Sequence, residues 1–179
     1  MNIFVLDECP KLAAEMLCDT HVVSQAKETA QMLAAVAHRY GADPDSFPLT
    51  KGTGTPMKNS YPNHPCTLWA GQTYENYSWL AAHGLAIAKQ KTLRFGTPSF
   101  CEGQIKSLIR IIETLPLPQT GQTKHAVAIR DDKRCRKVRG FDKLDAVGQY
   151  RMYYIYDKPF AKWQKLQNRP EWMIDCGNG

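Results

Sequence analysis

No stretch of this sequence approaches the roughly 20 consecutive apolar residues that a membrane-spanning helix needs, so no membrane partner is expected. The six cysteines are Cys9, Cys18, Cys66, Cys101, Cys135 and Cys176, and none of them forms a C-x-x-C pair. The opening MNIFVLDECPK carries no basic region ahead of a long apolar run, so it does not read as a secretory signal. The thiols are therefore expected to be reduced in a cytoplasm. Cys18 with His21, and His64 with Cys66, give C-x-x-H and H-x-C spacings that only half fit a tetrahedral zinc site. No metal and no cofactor are expected. Internal repeats and low-complexity tracts are also absent.

What the chain does have is ordinary globular composition. Of 179 residues, 43% are hydrophobic and 22% charged, which suits one folded domain over residues 1–179. The formal charge of +6 favours a polyanionic partner by general attraction.

The pattern along the chain is mainly helical. Ile3 to Leu6 form a short apolar run, either a buried strand or a core-anchored arm. Pro10 suits the first turn of a helix. A second helix, capped by Asp19 or Thr20, has Val22, Val23, Ala26, Ala30, Leu33, Val36 and Ala37 at helical spacing. From Ala42 to Pro65 the chain is dense in Gly, Pro, Ser, Thr and Asn and reads as a surface loop. Pro65 opens a long helix expected to run unbroken to about Arg94, ended by Gly96 and Pro98. Further helices are expected over about 102–114 and 143–156, with a short one carrying Phe160 and Trp163. A second long loop, 116–141, includes the basic tract KHAVAIRDDKRCRKVRG. The expectation is a mainly α, single compact helical domain with two long surface loops, acting as a monomer.

The residues that point to chemistry lie opposite the apolar stripe of the second helix. His21, Ser24, Gln25, Glu28 and Gln31 project together at offsets of three, four and seven. A solvated face explains such a stripe equally well. A histidine and a carboxylate on one face can also share proton transfer. Asn63-His64-Pro65 brings an amide and a histidine to a helix start, where anions bind. Lys124, Arg130, Lys133, Arg134, Arg136, Lys137 and Arg139 give the second loop the density of a phosphate-contacting segment. Near the C-terminus, Phe160, Trp163 and Trp172 alternate with Lys162, Lys165 and Arg169, a pattern suited either to base stacking or to closing the core.

Three segments in order resemble a known family. KETAQMLAAVAH resembles the catalytic helix of the phage and bacterial pyrimidine-dimer DNA glycosylases (the endonuclease V-like superfamily). HPCTLWAGQTYENYSWLAAHGLAIAKQKTLRFG resembles their long central helix, and NRPEWM their closing Arg-Pro-x-Trp. A wider pattern covers most of the chain: Leu6-Asp7, Cys18-Asp19, His21, Glu28 to Gln31, Asn63 to Cys66, Trp69, Asn76-Tyr77, Trp79-Leu80 and Tyr150-Arg151 to Tyr154.

The resemblance implies an N-glycosylase for a damaged or modified base in DNA, with strand cleavage (lyase) as a second activity. It implies attack by the N-terminal α-amine on sugar C1′, a Schiff base, and a helical glutamate that assists. Glu28 matches the glutamate, Met1 would supply the amine, and His21 stands nearby. Lys27 matches an arginine of the family; Gln31 replaces a second one. Asp19, Ser24, Gln25, Lys27, Gln31, Asn63, His64 and Tyr77 are the expected substrate contacts. Arg94, Arg151, Lys162, Arg169 and the basic loop would hold the backbone. The extra polar groups Asp19, His21 and His64 leave two rivals open: the same scaffold acting on a free nucleotide or modified nucleobase, and a non-catalytic phage protein that binds nucleic acid or inhibits the host.

Overall fold

The computed structural model describes residues 2–165 and 168–173. It is helical, as the periodicity predicts: α1 (Pro10–Met16), α2 (Asp19–Arg39), α3 (Pro65–Ala70), α4 (Tyr74–Phe95), α5 (Phe100–Ile112) and α6 (Ala146–Asp157). Among the described residues there is no strand, only an isolated bridge between Leu49 and Pro56. No helix is long and apolar enough to cross a membrane. Ile3 to Leu6 is the core-anchored arm of the two alternatives, neither helix nor strand and buried along its length.

The core forms where α2 and α4 cross, with α1 and α3 at their ends and α5 across both. Gly84 sets how closely the two long helices approach. A Cβ built there would lie 2.5 Å from Thr29 Cγ2 on α2 and 2.8 Å from Ile105 Cδ1 on α5. Only glycine fits that crossing, and Thr29 is the neighbour of Glu28.

Two expectations about helices are corrected. The helix from Pro65 does not run unbroken to Arg94. It stops at Ala70 and restarts at Tyr74. Thr73 caps the restart by accepting from the Asn76 amide at 3.1 Å, and the Asn76 side chain donates to the Trp69 carbonyl at 2.8 Å. A cap plus a buried amide satisfies the groups freed by the break. The short helix expected around Phe160 and Trp163 is absent. Its backbone bonds go to the start of α2: the Asp19 amide donates to the Lys162 carbonyl at 2.9 Å, and the Gln164 amide to Asp19 Oδ2 at 2.7 Å.

Both long loops are built rather than loose. In the first, Gln104 donates to the Leu49 carbonyl at 2.8 Å and His38 bonds the Met57 carbonyl at 2.9 Å. The second buries Leu117, Ile129, Cys135 and Phe141. Asn76 ties it to α4 through the amide and hydroxyl of Thr123, at 2.9 and 2.7 Å. Trp163 and Trp172 pack against the core, their ring nitrogens donating to the Met16 carbonyl and sulfur.

A pair of glycine variants tests this packing. Gly84→Ala is expected to destabilise by about 1–3 kcal/mol through overpacking. Gly103→Ala, in α5 with open space around it, is expected to stabilise by about 0.5–1 kcal/mol. Denaturant midpoints check both, and equal responses would contradict the account of the crossing.

Candidate active site

The buried arm carries the chain's second nitrogen to the polar face of α2. The Asn2 backbone amide donates to Glu28 Oε2 at 3.0 Å. The Asn2 side chain fixes this position from both ends. Its Nδ2 donates to the Ala128 carbonyl at 3.0 Å, and its Oδ1 accepts from the Ile3 amide at 2.9 Å. That Oδ1 also faces the Cys66 thiol at 4.0 Å. Arm, α2, the start of α3 and the second loop therefore meet at one residue. Burial pushes the Cys66 thiol up to about 12, so it is an un-ionised wall of the site. Tyr150 holds the loop in register, its hydroxyl accepting from the Ala128 amide at 3.0 Å and donating to the Ala126 carbonyl at 3.1 Å.

Further along, the arm is clamped through its carbonyls. The Ile3 carbonyl lies 3.2 Å from His83 Nε2, and the Pro10 carbonyl 2.9 Å from His83 Nδ1. Burial holds this imidazole below its usual pKa, and a neutral ring donates through one nitrogen at a time. Arg151 Nε donates to the Leu6 carbonyl at 2.9 Å, and its other end pairs with Asp7 at 3.5 Å. Phe4 has φ of 50°, a conformation costing a non-glycine residue about 1–2 kcal/mol. The bend stacks its ring on His21, centroids 4.3 Å apart.

His21 is consequently a buried support for the arm. Its Nδ1 shares a hydrogen bond with the Tyr154 hydroxyl. Burial, then the nearby Lys158 charge, lowers its pKa to about 3, so it is neutral at physiological pH. Lys158 itself lies 5.2 Å over the Phe4 ring and donates to the Tyr153 hydroxyl at 3.2 Å. Burial and the Lys133 charge push its ammonium below the ordinary lysine pKa.

The remaining predicted residues fall into three groups. Near the contact, Ser24 and Lys27 are exposed, and Glu28 and Gln31 half-buried, on one face of α2. His64 caps α3, its Nδ1 accepting from the Cys66 amide at 3.2 Å, with Asn63 exposed beside it. A second group is structural in its placement. Gln25 is buried, and Tyr77 is buried with its hydroxyl on the Leu108 carbonyl at 3.1 Å. Asp19 and Arg94 pair at 3.2 Å, and Arg94 also donates to the carbonyls of Leu17 and Glu15, both at 2.7 Å, closing the end of α1. In the basic loop, the Arg134 backbone amide donates to Asp157 Oδ1 at 2.9 Å and its guanidinium to the Tyr156 carbonyl, and the Arg136 guanidinium donates to the Ile129 carbonyl at 2.6 Å. Arg130 pairs with Asp132 at 3.0 Å. In the third group, Lys124, Lys137, Arg139, Lys162 and Arg169 are exposed and Lys133 half-buried. Met1 lies outside the described residues.

Sequence reasoning passed over Asn2, Phe4, His83 and Lys158. His83 had a signal, since it falls between Leu80 and Ile87 on the buried side of α4. The left-handed Phe4 had none. Among the described residues no three His, Cys, Asp or Glu side chains converge as a metal site.

The segment that builds this contact also carries the family signal. Residues 1–97 match the family model described as pyrimidine dimer DNA glycosylase. The chain belongs to the pyrimidine dimer DNA glycosylase family. No curated protein and no solved structure matches it significantly. The match takes in the arm, α1 to α4, Asn2, Glu28, His64, Cys66 and His83, and ends at the residue after the Gly96 turn. The glycosylase family assignment makes DNA the substrate class.

The neutral buried His21 has a measurable consequence. Unfolded, it titrates near 6.5; folded, near 3. As pH falls through 6.5 the unfolded chain takes up a proton that the folded one refuses. Stability present above 6.5 is therefore lost on acidification, by about 2 kcal/mol at pH 5. Urea unfolding at pH 7.5 and pH 5 is expected to show this loss in the native chain and a smaller one in His21→Gln. Equal losses would contradict a neutral, buried His21.

Proposed function

We propose that this glycosylase removes the damaged pyrimidine through its own amino terminus, with Glu28 as the acid and base. One observation carries the reading: the Asn2 nitrogen lies 3.0 Å from Glu28 Oε2. Initiator removal would make that nitrogen the α-amine. If Met1 is kept, covalent geometry holds its amine within one residue, about 3.8 Å, of the same point. An α-amine suits the role because its ordinary pKa of about 7.7–8.0 leaves much of it neutral near physiological pH.

The step balances without a cofactor. The neutral amine forms a bond to C1′ as the C1′–base bond breaks, and the base departs with a proton from water. Glu28 takes a proton from the nitrogen and returns it to the ring oxygen. The sugar ring opens, leaving a protonated imine beside the Glu28 carboxylate. That imine acidifies the C2′ proton, whose removal by Glu28 would cleave the strand. Lys27, Gln31, Asn63 and His64 are the proposed contacts to the strand and base. Asp19, Gln25, Tyr77 and Arg94, as placed, serve the scaffold in this reading, and His21 serves as a positioning residue beneath Phe4.

Glu28→Gln keeps the acceptor for the Asn2 amide and removes the proton transfer. Turnover on ultraviolet-irradiated duplex DNA is expected to fall about 10²–10⁴-fold, with the denaturation midpoint little changed. Unchanged turnover would remove Glu28 from the mechanism.

A further inference from the structure

The positive charge of this protein is distributed differently from its sequence pattern. Three guanidinium groups of the 124–139 loop, those of Arg130, Arg134 and Arg136, are engaged with partners inside the chain. A separate groove of about 550 Å³ lies between α2, the turn at 50–53, the end of α4 and the start of α5. Four ammonium groups line it: Lys27, Lys51, Lys58 and Lys91. No carboxylate lines it, and among the described residues these four make no ion pair.

The convergence is physical. Lys91, Lys27 and Lys51 all act electrostatically on the Cys101 thiol at the groove floor. Such crowding of like charge without a counter-charge disfavours the compact state. The groove is held open by the fold. The turn carrying Lys51 is closed by its Thr50, Thr53 and Thr55 hydroxyls, 2.7 Å from Thr50 to Thr53 and from Thr53 to Thr55. At the other wall Ser99, the N-cap of α5, makes no side-chain cap bond, so the amides of Phe100 and Cys101 that open the helix add a second attraction for anions. The position relative to the Glu28 contact is fixed by α2. Lys27 precedes Glu28, and Gln31, also in the groove wall, follows it by one turn, about 5–6 Å away at Cβ.

We propose that this groove carries the phosphodiester backbone of the DNA strand on one side of the lesion, leading it along Lys27 and Gln31 to Glu28. The inference rests on the reading of that contact as a DNA glycosylase site. It assigns the main electrostatic track to Lys51, Lys58 and Lys91, and a lesser share to the basic loop.

The test is binding of undamaged duplex DNA at a series of salt concentrations, with Lys51→Gln, Lys58→Gln and Lys91→Gln combined. Each lost phosphate contact removes about 0.9 from the slope of log K against log salt. The triple variant is expected to lose about 2–3 from the slope and at least about tenfold in affinity at low salt. A charge-matched control, Lys11→Gln, Lys89→Gln and Lys106→Gln, is expected to lose less than about 1. Equal slopes for the groove variant and wild type, with wild type still processing damaged DNA, would overturn the groove and leave the glycosylase reading standing. Equal losses for groove and control variants would reduce the effect to net charge and also overturn it. A wild-type protein that neither binds nor processes DNA would overturn both.

Discussion

Everything in this structure that bears on chemistry depends on burying the first few residues. Ile3, Phe4, Val5 and Leu6 are all at most 4% exposed. Burying side chains of this size favours the folded state by roughly 1.5–3 kcal/mol each. That offsets the roughly 1–2 kcal/mol per residue of lost backbone freedom and the strain at Phe4. An ordinary chain end frays. Here His83 and Arg151 hold the arm's carbonyls, Asn2 bonds across to the second loop, and the Asn2 backbone nitrogen is left on Glu28.

The same constraint explains why polar side chains on α2 have different fates. His21 and Gln25 turn toward the arm and the core and are buried, whereas Ser24 and Lys27 remain in solvent and Glu28 and Gln31 are half-covered. A helical wheel places all of them opposite the apolar stripe, because it does not include an arm laid against that face. Helix existence and order were legible from spacing, and Gly96, with φ of 67°, ends α4 as expected. The break at 71–73 was not, since it depends on Asn76 finding Trp69 and Thr123 across the fold. Nor was the fate of the basic tract, whose arginines bond carbonyls and carboxylates within the chain, Arg134 reaching as far as the Tyr156 carbonyl. Asp19 and Arg94, 75 residues apart in sequence, pair to close the end of α1. The resemblance already implied an amino-terminal amine beside Glu28, and the fold adds the contact of the Asn2 amide with that carboxylate.

The family match and the site geometry agree in extent. Residues 1–97 contain both partners of the Asn2–Glu28 contact and every lysine of the groove. The remaining chain supplies supports: Ala128 for the Asn2 side chain, Tyr154 for His21, Lys158 over Phe4. Lys158 is the strongest rival amine, half-buried, held below its ordinary pKa and near enough for the Glu28 charge to act on it. A Schiff base formed through Lys158 would require the same carboxylate and would give the same response to Glu28→Gln.

Mapping the covalent intermediate separates the two amines most directly. Borohydride reduction during reaction with damaged DNA fixes the imine, and peptide mass spectrometry locates it. The account predicts an adduct on the terminal residue, Met1 or Asn2, that disappears when the amino terminus is acetylated. An adduct on Lys158, or none while damaged bases are still released, would contradict it.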